Sequence, residues 1–101
     1  MVKGRIYKIA NLHKNKRNNL LISYEVEKGK VGWLWTSNHH PHHGKSIFRD
    51  GDAFVCLAKK EHDDNAGQAY YGITTWYEAV GPDGKIHKIT PSMRSTYFRN
   101  P

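Results

Sequence analysis

Alternation with a period of two constrains this chain more than any other pattern in it. Leu20, Ile22, Tyr24 and Val26 alternate with Leu21, Ser23, Glu25 and Glu27. That spacing puts the two sets on opposite faces of an extended strand, not on one stripe of a helix. Glu27-Lys28-Gly29-Lys30 follows, with Gly where a turn calls for positive φ. Val31-Gly32-Trp33-Leu34-Trp35-Thr36 then reads as the return strand, so the sequence predicts a β-hairpin over residues 20–36.

Further strands are expected over Arg5 to Ala10, Ala53 to Ala58, Tyr70 to Val80 and Lys85 to Ile89. The Ala53 strand is apolar on both faces, which suits a central position, and Asp50-Gly51-Asp52 turns the chain into it. Gly81-Pro82-Asp83-Gly84 is a strong turn signal before the last strand. Thr90 is placed to N-cap a short helix with Pro91 at its first position and a body from Ser92 to Phe98. Polar segments separate these pieces: 11–19 is basic, 37–46 holds histidines, and 59–68 is charged. The expected fold is all-β with a short C-terminal helix. Short strands need their edges paired or covered, which points to a small five- or six-stranded barrel, OB-like or SH3-like. Residues 1–101 are expected to form a single small β domain.

The core has to be thin, since apolar residues make up 38% of the chain against a usual ~45–50%. Three Trp, six Tyr and three Phe compensate, because an aromatic side chain buries about 150–250 Å². Cys56 is the sole cysteine, so no intrachain disulfide forms, and an unpaired thiol suits a reducing compartment. The opening residues lack the apolar run of a secretory leader, and no stretch reaches the ~18 apolar residues of a membrane helix. A cytoplasmic protein without a membrane partner is expected.

Charge is unevenly spread. Met1 to Arg49 carries ten Lys or Arg against Glu25 and Glu27, whereas Asp50 to Pro101 carries six against seven acidic residues. Nearly all of the net charge of +7 therefore lies on segments that also hold Tyr7, Tyr24, Trp33 and Trp35. Cations interleaved with rings attract polyanions and stack on bases. Lys14, Lys16 and Arg17, in the loop between the first two expected strands, are candidate phosphate ligands. Period two lines Lys3, Arg5 and Tyr7 along one face of the first strand. Trp33 and Trp35 share a face opposite Leu34. The usual burial of Trp, and the poor core face that Leu34 and Gly32 make, favour the Trp face as the interior. The alternative is an exposed stacking platform.

Other chemistry is sparser. His39, His40, His42 and His43 carry the donors of a zinc, copper or nickel site, but a structural site draws ligands from two separated segments, and no spacing supplies the second. Gly44-Lys45-Ser46 matches the end of a phosphate-binding loop, yet His39 stands where its first Gly belongs. Gly4-Arg5-Ile6-Tyr7-Lys8-Ile9 loosely resembles the opening of GIY-YIG endonucleases. Leu21-Ile22-Ser23-Tyr24 stands where that family has its second element, so no catalytic residue carries over. No Ser, His and Asp spacing suggests a triad, and no enzyme is expected.

Three function classes follow. The first is a nucleic-acid-binding module that prefers single strands with weak sequence preference, using Arg5, Tyr7, Lys14, Lys16, Arg17 and Trp33 or Trp35, and needing no cofactor. The second is a protein-interaction or inhibitor module that docks on an acidic partner protein. The third is a metal-binding protein, with zinc held by the His39–His43 tract.

Overall fold

The computed structural model describes residues 1–24, 31–37, 46–61 and 75–100. Among them the chain runs through β1 (Ile6–Ile9), a 3-10 turn (Leu12–Lys14), β2 (Leu20–Tyr24), β3 (Gly32–Ser37), β4 (Ile47–Phe48) and β5 (Ala53–Glu61). It continues through β6 (Thr75–Val80), β7 (Ile86–Ile89), helix α1 (Pro91–Tyr97) and β8 (Phe98–Arg99). The strands form one sheet in the order β4-β2-β3-β7-β6-β5-β1-β8. Neighbours are antiparallel except β3 and β7, which run parallel.

The all-β class with a short C-terminal helix is what the structure shows, as a curled half-barrel. Eight strands replace the expected five or six, because β4 and β8 are two residues each and too short to display a period. The curl follows from aromatic packing. β4 lies five strand spacings from β5 in the sheet order, or ~24 Å if the sheet were flat. Yet the Phe48 and Phe54 rings pack edge to face with centroids 4.8 Å apart, and Phe98 from the other edge meets Phe54 at 5.3 Å. Phe54 thus gathers both edges over one concave face.

That inner face holds Tyr7, Ile9, Leu21, Leu34, Phe48, Phe54, Cys56, Ala79 and Ile89. Two expected orientations are reversed. Tyr7 faces inward opposite Phe54, while Ile6 is exposed, so Tyr7 does not share an outer face with cations. Leu34 is fully buried on the concave side, and of the two indoles on the opposite side Trp35 is 49% exposed while Trp33, Leu20 and Ile22 are buried. The reason lies in β2: Leu34 pairs with Ser23 and Thr36 with core residue Leu21, which commits that side of β3 to the interior.

One polar chain crosses the core. His87, 3% exposed, places Nδ1 2.8 Å from Ser23 Oγ and Nε2 2.9 Å from an Asp83 carboxylate oxygen. That carboxylate also accepts hydrogen bonds from Ser46 Oγ and the Lys85 backbone N–H. The Gly81–Gly84 turn holds it in place, with Gly84 at φ 77. At the C-terminal end Thr90 caps α1, its Oγ1 accepting from Met93 N–H at 3.1 Å, with Pro91 starting the helix as the sequence predicts.

Candidate nucleic-acid interface

The basic loop is a folded feature. Leu12 is 1% exposed and pins the turn to the core. The Asp50 carboxylate accepts from Leu12 N–H (2.9 Å) and His13 N–H (3.0 Å) and lies 2.8 Å from His13 Nδ1. Burial would raise the Asp50 pKa, but these hydrogen bonds from His13 and Leu12 hold it below the ordinary carboxylate value. Asn15 Oδ1 accepts from the N–H groups of Arg17 and Asn18, a side-chain turn that shapes the next residues. Lys14, Lys16 and Arg17 are all exposed on this frame.

The loop enters β2 at Leu20, which pairs with Ser37, and Trp35 stands opposite Ile22. The exposed indole is therefore two strand residues, ~7 Å along β2, from the point where the loop lands. Leu20, Ile22 and Tyr24 share its face by register. On the same face, opposite Tyr24, Trp33 is 9% exposed and packs edge to face on Trp76 with centroids 5.6 Å apart. Lys88 Nζ lies 5.0 Å from the Trp33 ring and 5.1 Å from the Trp76 ring. Such a contact fixes the ammonium on the surface at a gain of about 0.5–2 kcal/mol. Trp76 Nε1 is buried there without a hydrogen-bond partner among the described residues.

The expected site residues thus divide. Lys14, Lys16 and Arg17 are exposed in the loop that enters β2 at Leu20, two strand residues from Ile22, which stands opposite Trp35. Arg5 is exposed but precedes β1, which β5, β6 and β7 separate from β3. Tyr7 offers no face to a base: it is 2% exposed, its hydroxyl accepts from Val2 N–H, and the Arg94 guanidinium lies 5.1 Å from its ring centroid. Trp33 is covered by Trp76. The histidines His39, His40, His42 and His43 lie outside the described residues. Among the described residues, no group of three or more His, Cys, Asp or Glu is arranged to hold a metal ion. No helix among them is long and apolar enough to cross a membrane.

Two groupings escape a reading of the sequence. Trp76 and Lys88 reach Trp33 only through the register, in which Lys88 pairs with both Trp33 and Glu78. Ser23, His87 and Asp83 meet in a Ser–His–Asp order that their spacing does not suggest. Ser23 is 8% exposed, and a Cβ on Gly32 would overlap its hydroxyl, so the group ties strands together and presents no open hydroxyl.

Fold and surface together define a small, basic, curled-sheet β protein with one exposed indole beside a cationic loop. Comparison with family models, with curated proteins and with solved structures finds no match.

Proposed function

We propose that the chain is a nucleic-acid-binding module for single strands, without strong sequence preference. Lys14, Lys16 and Arg17 hold successive phosphates, and Trp35 stacks on a base. The observation that carries this reading is the 49% exposure of Trp35, two strand positions from where the basic loop enters β2. A half-exposed indole costs solubility unless something covers it, and flat bases on an anionic backbone match its surroundings in shape and charge. Lys88 adds a cation to the same face. Arg5, Tyr7 and Trp33 drop out of the contact set for the positions described above.

Fluorescence titration with a thymidine oligonucleotide tests it. Trp35→Ala is expected to weaken binding by about 1–3 kcal/mol, the worth of one base–aromatic stack, with the unfolding midpoint unchanged. Equal affinity of wild type and Trp35→Ala, or an affinity indifferent to Lys14→Ala and Arg17→Ala, sinks the proposal.

A further inference from the structure

The outer face carries a second feature that the basic loop does not use. Ile6 pairs with Val55, Val55 with Val80, and Val80 with Ile86, so four aliphatic side chains stand abreast across β1, β5, β6 and β7. They face outward because their chain neighbours Tyr7, Phe54, Ala79 and His87 are buried on the inner side. Ile6 is 48% exposed, Ile86 42%, and Leu57, two residues along β5 from Val55, 36%. Two of the five large apolar side chains exposed among the described residues, Ile6 and Ile86, thus end this row, and Leu57 lies beside it at the bulge of β5.

Aliphatic side chains offer bases no ring to stack on, whereas they suit the apolar centre of a protein interface. Charge selects the partner. Lys8 and Arg99 pair in the register on the same face, next to Ile6. Arg5 and Lys85, both exposed, adjoin Ile6 and Ile86 in the chain. Among the described residues, Lys8, Arg5 and Lys85 take part in no ion pair. Glu78, a carboxylate of this face, stands opposite Lys88. Two copies of a chain with net charge +7 would crowd like charges, which disfavours self-pairing.

We infer that the Ile6-Val55-Val80-Ile86 row is a docking surface for an acidic protein, one that presents apolar side chains ringed by carboxylates. It is separate from the Trp35 surface and does not depend on nucleic-acid binding.

Panning a display library of random peptides on the intact chain, with Ile6→Gln/Ile86→Gln as counter-target, tests the inference. Both side chains are exposed, so the variant keeps its fold, which its urea midpoint checks. The expected winners alternate Leu, Ile or Phe with Asp or Glu. A synthetic copy of their consensus is expected to bind the variant about tenfold more weakly or worse. Lys8→Glu/Arg99→Glu leaves the aliphatic row in place and is expected to abolish the preference for carboxylates. Winners without added carboxylates, or winners that hold the counter-target equally well, overturn the inference. So does a wild-type chain that sediments as a dimer while Ile6→Gln/Ile86→Gln is a monomer. A thymidine oligonucleotide that binds Ile6→Gln/Ile86→Gln more weakly than wild type also overturns it, by making the row part of a nucleic-acid surface.

Discussion

Gly32 lies diagonally across from Ser23 on the same face of β2 and β3, and the space between them is too small for a Cβ unless the Ser23 hydroxyl moves. A Cβ on Gly32 would overlap Ser23 Oγ and come within 3.2 Å of the Tyr24 carbonyl oxygen. Gly32→Ala is therefore expected to lower stability by about 1–3 kcal/mol through overpacking. Ser23→Ala removes the overlapping hydroxyl but leaves His87 Nδ1 without its partner. The double variant should cost less than the sum of the two single ones, as a thermodynamic cycle of urea unfolding would read. Strict additivity would mean that the two groups do not compete for one space. Asp83 sets a second expectation. Burial raises its pKa, yet hydrogen bonds from Ser46, His87 and the Lys85 backbone outweigh that and hold it below the ordinary value. A carboxylate depressed in the folded state adds stability above its unfolded pKa and loses it as pH falls through the folded one. Unfolding midpoints measured from neutral pH down through the carboxylate range should fall for the wild type. The fall should be shallower for Asp83→Asn.

At the scale of the element, the C-terminal helix is too short to stand on propensity. Pro91 to Tyr97 holds because Thr90 supplies an oxygen to Met93 N–H, and because Met93 and Tyr97 bury one side against the sheet. Thr90→Ala is expected to cost about 1 kcal/mol, whereas Thr90→Ser, which keeps the oxygen, should cost far less. Equal losses would assign the effect to the buried methyl group and not to the cap. The basic loop is a second element held by few contacts. Asp50 joins it to the turn before β5, and Asn15 Nδ2 reaches the Tyr97 hydroxyl at 3.4 Å. Loop, turn and helix thus brace one another at one end of the sheet.

For the whole molecule the decisive quantity is charge. Three phosphate contacts on a single strand imply a log–log dependence of affinity on salt with a slope of about −2. Lys14→Ala or Arg17→Ala should each flatten it by about 0.7. A salt-independent affinity would remove the electrostatic basis of the proposed function. The concave side contributes nothing to this surface, because curling fills it with Phe48, Phe54 and Phe98. The proposed binding surface is therefore assigned to the convex side, where Trp35 and Lys88 occupy outer register positions.

Much of this architecture was legible in the sequence, and the part that was legible is local. The strand over Leu20 to Tyr24, the Gly81–Gly84 turn and the Thr90 cap each depend on residues a few positions apart, and all three are where the sequence predicts them, although β2 is buried on both faces and not half-buried. Which side of a strand points inward is a different kind of fact. A strand with rings on one side and Leu34 on the other is amphipathic either way, and only its pairing with Ser23 and Leu21 on β2 turned Leu34 inward and left Trp35 exposed. The same holds for Tyr7 opposite Phe54, for the parallel contact of β3 with β7, and for the meeting of Ser23, His87 and Asp83. Those are contacts between residues far apart in the chain. Their free energy arises only once the sheet has curled, so no period or spacing along the sequence carries them.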